Sequence, residues 1–176
     1  MDALKKIYLG LGSNLGDSLI LLKQAVQLID EKIGKVEKIS KVYLSAPMNH
    51  PDNPNLRQND YYNMVLTCIS GLTPHDVKSC TQKIEKDLGL DRVKKSHWGP
   101  REIDIDILAF ERDVIDDEDL KIPHPGLVER DFVIYPLSEI DPDFVHPISG
   151  KNIKQLIIEY EKSSKPIYIK KSFSLS

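Results

Sequence analysis

The stretch Arg101-Glu102-Ile103-Asp104-Ile105-Asp106-Ile107-Leu108 carries two carboxylates at a spacing that could do chemistry. Strict alternation points Ile103, Ile105 and Ile107 one way and Glu102, Asp104 and Asp106 the other. Aspartate is depleted from strands because its side chain competes for local backbone hydrogen bonds, so two on one strand face need a reason. Side chains at i and i+2 of a strand stand roughly 6.5–7 Å apart. Two carboxylates so placed can flank a pair of divalent cations about 3.5–4 Å apart, as in two-metal phosphoryl transfer. The competing reading is a half-buried strand with a solvated acidic face, which alternation alone does not exclude.

The neighbouring residues supply the charge that phosphate chemistry needs. Arg92, Lys94, Lys95, His97 and Arg101 form a basic run, followed by an acidic one over residues 111–119. Basic runs are usually solvated loops, but this one directly precedes the paired aspartates and so favours an anionic substrate. Arg92 and Arg101 suit bidentate phosphate clamping and stabilisation of a transferring group. Two aspartates without a further carboxylate group suit Mg²⁺ held partly by water and substrate phosphates. Trp98, beside Gly99-Pro100, either seals the site when a loop closes or pins that loop to the core. Tyr61 and Asn63 on one strand face, with Phe132, can stack on and hydrogen-bond a flat heterocycle, although strand aromatics are more often plain core. His124 lies between two prolines, and a lone histidine is more often structural than catalytic. Together these residues describe Mg-nucleotide chemistry on a small planar substrate.

The elements that must position them follow from periodicity. Ile7, Leu9 and Leu11 alternate with Tyr8 and Gly10 in a first strand, which the glycines at 10, 12 and 16 interrupt. Those glycines make either a tight turn or a close approach to a ligand. They match neither a P-loop, since Asp17-Ser18 follows Gly16, nor the G-x-G-x-x-G dinucleotide fingerprint. Leu19, Leu22, Val26, Ile29 and Ile33 predict a helix capped by Asp17 or Ser18 and ended by Gly34. Val36 to Leu44 is a second strand, and residues 45–60, with three prolines and four asparagines, form a long loop of functional-lid type. Tyr61 to Ser70 is a third strand, Thr73-Pro74 opens a second helix that stops at Gly89, and an irregular loop over 90–100 leads into the Asp-bearing strand. This order predicts an α+β fold with a ferredoxin-like βαββαβ core, two helices covering one face of an antiparallel sheet. A short helix at Leu127 to Val133, the segment Tyr135 to Ile140 and a helix at Ile153 to Tyr160 are expected to wrap one end. One domain over 1–162 and a loosely held tail over 163–176 are expected.

The bulk numbers agree with an ordinary soluble domain: 176 residues, 40% hydrophobic and 29% charged. A net charge of −3 argues against general nucleic-acid binding. Without an apolar signal core or a membrane-length run, and with Cys68 and Cys80 outside any CxxC, a cytoplasmic protein with reduced thiols and no membrane partner is expected.

Gly12-Ser13-Asn14-Leu15-Gly16, the string from Trp98-Gly99-Pro100-Arg101 through Ile103-Asp104-Ile105-Asp106-Ile107-Leu108, and Ile122-Pro123-His124-Pro125 occur in an order and spacing that resemble 6-hydroxymethyl-7,8-dihydropterin pyrophosphokinase of folate synthesis. The resemblance implies transfer of a pyrophosphoryl unit from ATP to the pterin hydroxymethyl oxygen, releasing AMP. It makes Asp104 and Asp106 ligands of two Mg²⁺ ions that bridge the ATP phosphates, and Arg92 and Arg101 mobile-loop arginines that grip them. Tyr61 and Phe132 would sandwich the pterin, Asn63 would bond its edge, and Ser45 and Met48 would contact it. Gln82, Glu85, Ile107, His124 and Arg130 match positions associated with ATP, alongside Arg101 and Trp98, which also packs over the closed site. A monomer is implied. His97 stands where the family often has arginine, and nucleotide roles are not carried over to Asp119 and Lys121. The alternative of another class is a ferredoxin-like nucleotide-sensing module without catalysis, which has no need to gather two Mg²⁺.

Overall fold

A computed structural model describes residues 3–89 and 100–176. The order β1 (Lys5–Ser13), α1 (Ser18–Lys32), β2 (Lys35–Ile39), β3 (Val42–Ser45), β4 (Tyr61–Ser70), α2 (Pro74–Asp87), β5 (Asp104–Phe110) builds the ferredoxin-like core, with sheet order β5-β1-β4-β3 and every pairing antiparallel. Local chemistry starts both helices. The Asp17 carboxylate accepts the Ile20 N–H at 3.2 Å, and the Thr73 hydroxyl accepts the Asp76 N–H ahead of a first-turn proline. Leu22, Ala25 and Ile29 of α1 and Val77 and Ile84 of α2 pack on Ile7, Leu9, Leu11, Met64, Leu66, Ile105 and Ile107. Each such fully buried aliphatic residue contributes roughly 1.5–3 kcal/mol. That is enough to hold β5 by its alternate positions while its other face carries aspartates.

The structure departs from the sequence reading in five places. Val36 to Leu44 is not one strand. Ser40 donates its N–H to the Val65 carbonyl at 2.9 Å and accepts the Val65 N–H on its hydroxyl at 3.0 Å, so a side chain replaces a ladder partner and the strand bends into β2 and β3. β1 is not interrupted at Gly10. It continues to Ser13 because β4 and β5 pair with it on both sides, Gly12 lying opposite Asn63 and Asp104. The helix expected at Leu127 to Val133 begins later, as α3 (Asp131–Ile140), and runs through Pro136. α3 and α4 (Ile153–Lys162) do not wrap one end. They cover the second sheet face, where Tyr8, Val65 and Leu108 meet Val133, Ile134, Leu137, Leu156 and Tyr160. The 163–176 segment is no loose tail, since β8 (Ile169–Phe173) pairs with β3 and extends the sheet. The acidic run contributes a small hairpin, β6 (Ile115–Asp116) with β7 (Lys121–Ile122). Among the described residues no helix is long and apolar enough to cross a membrane.

Candidate active site

Because α3 and α4 cover only part of the second sheet face, an opening remains over the ends of β1, β4 and β5. β5 is an edge strand whose isoleucines are buried below, so Asp104 and Asp106 rise into that opening. They line two adjoining cavities at once. The first, about 410 Å³, also holds Ser45, Met48, Tyr61, Asn63, Arg101, His124, Arg130 and Phe132. The second, about 290 Å³, holds Lys78, Gln82, Glu85, Ile107, Asp119, Lys121 and, again, His124.

Gly10 and Gly12 give the first cavity its floor. A side chain on the central strand would fill the space, and a Cβ on Gly12 would stand 2.8 Å from Asn63 Oδ1. Asn63 is buried and donates through Nδ2 to Ser45 Oγ at 2.7 Å, so its amide is already oriented at the wall. Burial pushes the Tyr61 hydroxyl pKa up, and Asp104 adds to this while Arg101 opposes it.

The charges around the carboxylates are arranged unequally. Arg101 Nη1 lies 2.8 Å from Asp104 Oδ2 in a largely buried ion pair. Burial works to lower the Arg101 pKa, but Asp104, Tyr61 and Asp106 more than offset it and the net shift is upward. Asp106 Oδ2 has Arg130 Nη1 at 3.7 Å and His124 Nε2 at 3.8 Å. His124 Nδ1 accepts the Gly126 N–H at 2.9 Å, which places the proton of the neutral ring on Nε2, facing the site. Burial holds the His124 pKa below its ordinary value, with Arg130 adding to the effect and Asp106 opposing it. A Cβ on Gly126 would stand 2.9 Å from the Arg130 guanidinium, so a side chain there would displace Arg130 from its present position.

Two backbone arrangements hold these groups. Buried Asn14 accepts the Arg101 N–H on Oδ1 at 2.9 Å and donates through Nδ2 to the Asn59 carbonyl at 3.1 Å, while the Asn14 and Leu15 N–H groups donate to the Arg101 carbonyl. One residue thus joins the turn after β1 to the ends of two other loops. On the open edge of β5, the buried Glu85 carboxylate accepts the Ile105 N–H at 2.8 Å, and the Leu108 carbonyl accepts the His124 N–H at 2.8 Å.

The profile of the 7,8-dihydro-6-hydroxymethylpterin-pyrophosphokinase (HPPK) family matches residues 8–142. The chain belongs to this family. It is 42% identical over 149 residues to 2-amino-4-hydroxy-6-hydroxymethyldihydropteridine pyrophosphokinase of Aquifex aeolicus, covering 85% of this chain and 88% of that one. Identity to the enzyme of the same name from Bacillus subtilis is 40% over 134 residues, 76% of each chain. Against the folic acid synthesis protein fol1 of Pneumocystis carinii it is 42% over 147 residues, 84% of this chain but 19% of that longer protein. Among solved structures, wild-type HPPK-DHPS of Plasmodium falciparum superposes with a TM-score of 0.71 at 15% identity, over 91% of this chain and 45% of that one, a likeness of fold.

With the family established, the expected site residues can be located. Ser45, Met48, Tyr61, Asn63 and Phe132 share the first cavity, and Gln82, Glu85, Ile107 and His124 share the second. Arg101 and Arg130, expected beside the nucleotide, line the first cavity at the carboxylate junction. Glu85 lines the second while bonding the strand edge. Arg92, His97 and Trp98 lie outside the described residues. Sequence reasoning missed Asn14, whose side-chain partners lie 45 and 87 residues away, too far for any local signal. It also missed Lys78, for which a signal existed: with Gln82 and Glu85 it stands at i, i+4 and i+7 on α2, one helical face.

Proposed function

We propose that this chain transfers the terminal pyrophosphoryl unit of ATP to the hydroxymethyl oxygen of 6-hydroxymethyl-7,8-dihydropterin, releasing AMP. The observation that carries the reading is that Asp104 and Asp106 line both cavities, so a flat heterocycle in one and a nucleotide in the other would meet across them. The pyrophosphokinase names of the relatives support it.

The pterin would lie in the first cavity against Tyr61 and Phe132, its polar edge toward Asn63 and Ser45 and its hydroxymethyl arm toward the aspartates. The nucleotide would lie in the second cavity along Gln82 and the Ile107 edge of β5, where alternation turns the Ile107 backbone the same way as that of Ile105. Two carboxylates with no cluster of three metal-ligating groups among the described residues suit a cation that takes most of its shell from water and phosphate oxygens. Asp104 and Asp106 would therefore hold the Mg²⁺ accompanying ATP, two ions by the sequence reading, which supplies neutralisation of the phosphate charge and of the leaving oxygen. His124 Nε2–H and Arg130 would donate to phosphate oxygens beside Asp106. Arg101 would exchange part of its Asp104 pairing for a phosphate oxygen. The hydroxymethyl oxygen releases its proton to solvent and bonds to the β-phosphorus as the bond from that phosphorus to the α,β-bridging oxygen breaks. The electron pair leaves with AMP. A cytoplasmic monomer with no nucleic-acid or membrane partner completes the reading.

Incubation with Mg-ATP and 6-hydroxymethyl-7,8-dihydropterin should give AMP in proportion to pterin consumed. ADP as the product, or no turnover, rejects the reading. A sensing module would bind ATP equally well without Mg²⁺, whereas calorimetry on this chain is expected to give Mg²⁺-dependent binding.

A further inference from the structure

Residues 165–173 lie beyond the 8–142 range of the family profile, yet they are attached to both walls of the first cavity. On one wall, Asp131 precedes Phe132 at the start of α3 and is fully buried. Its Oδ2 accepts the Tyr168 N–H at 2.7 Å and the Ile169 N–H at 2.9 Å, and its Oδ1 accepts the Phe132 N–H at 2.8 Å. The Tyr168 ring meets the Phe132 ring edge to face, centroids 5.9 Å apart and planes at 77°. On the other wall, the Ala46 N–H donates to the Tyr168 carbonyl at 2.9 Å, and Ile169 pairs with Ser45 in the β3–β8 ladder. Tyr160 Oη donates to the Pro166 carbonyl at 2.5 Å and Lys165 pairs with Glu129 at 3.1 Å, anchoring the segment upstream.

Tyr168 is thus bonded by its N–H to the Phe132 side, by its carbonyl to the Ser45–Ala46 side, and by its ring to the Phe132 ring. It lies behind Phe132 and does not line the cavity. A flat ligand entering between Tyr61 and Phe132 needs the Phe132 ring at a fixed distance and tilt, and an edge-to-face neighbour restricts both. We propose that the C-terminal segment is a positioning element of the pterin wall, with Tyr168 acting through Phe132 and Asp131 coupling the two. This inference rests on the reading of the first cavity as the pterin site.

The test is steady-state kinetics with each substrate varied, on Tyr168→Ala, Tyr168→Phe and Phe132→Ala. Tyr168→Ala should raise KM for the pterin by about three- to tenfold, the scale of an aromatic edge contact, with KM for ATP unchanged. Tyr168→Phe keeps the ring and both backbone bonds and should restore the pterin KM. A Tyr168→Ala enzyme with normal pterin KM, or with both KM values raised together, overturns the proposal provided that Phe132→Ala raises the pterin KM. If Phe132→Ala also leaves it unchanged, the failure lies in the assignment of the cavity. Should Tyr168→Ala not fold, Tyr168→Leu supplies bulk without the ring edge, and the same split between the two KM values decides.

Discussion

Two positions apart on β5, Asp104 pairs with Arg101 at 2.8 Å while Asp106 keeps Arg130 and His124 at 3.7 and 3.8 Å. The first distance is that of a charge-assisted hydrogen bond, and the second pair are looser electrostatic neighbours. A cation approaching the shared face therefore has to compete with a close guanidinium at Asp104. The carboxylates differ in the same sense in exposure, 20% against 34% of the side chain. Asp106→Ala should consequently lower kcat by roughly two or more orders of magnitude, the effect of losing a metal-holding ligand. The fold should survive, because Asp106 is only partly buried and lies outside the packed isoleucine cluster. Turnover within a few-fold of the unsubstituted protein, with an unchanged thermal midpoint, would remove Asp106 from the metal site.

At the scale of elements, Asn14 joins the turn after β1, the end of the 46–60 loop at Asn59 and the start of the Asp-bearing segment at Arg101. Asn14→Ala would leave the Arg101 N–H and the Asn59 carbonyl without that amide, a cost of about 1–3 kcal/mol for partly buried groups. The variant should show a lower thermal midpoint and a lower kcat, because Arg101 loses the anchor that sets its backbone; a lower midpoint with unchanged kcat would confine Asn14 to stability. Such hubs are illegible in a sequence because their partners are chosen by the fold, whereas β5 announced itself through alternation and both core helices through Asp17, Thr73 and Pro74. Elsewhere local signals pointed the wrong way. Glycines at 10 and 12 left a turn and a close approach to a ligand both open; ladders on both sides override the turn, and the missing side chains become cavity floor. Leu127 to Val133 and Tyr135 to Ile140 read as separate segments, yet one helix, α3, spans residues 131–140 and runs through Pro136, with Leu137 and Ile140 buried on the second core beyond it. Tyr8, Val65 and Leu108 belonged to the strand parity opposite the first core, so a second covered face was readable from them. Which later segment would cover it was not.

The whole molecule is three layers, and burial in the third affects its response to pH. His146 sits in the turn that joins α3 to α4, its Nδ1 accepting the Ser149 N–H at 3.2 Å. Burial lowers its pKa below the ordinary 6.5, and burial also leads the lowering at His124. The folded chain therefore binds fewer protons at these rings than the unfolded chain does near and below pH 6.5. Stability then rises with pH across that window and falls as pH drops through it. Asp30 and Asp117 act in a separate window. Backbone hydrogen bonds from Val36 and Leu120 are the largest of the effects that lower their pKa values, so the stability they contribute is lost only as pH falls below their ordinary 3.8. Urea midpoints measured from pH 7.5 to 5 should accordingly decline, above the window in which Asp30 and Asp117 titrate. His146→Asn should flatten that decline in part, leaving the His124 share, without changing kcat at pH 7.5, since residue 146 lines neither cavity. A decline identical in the two proteins would remove His146 from the acid response.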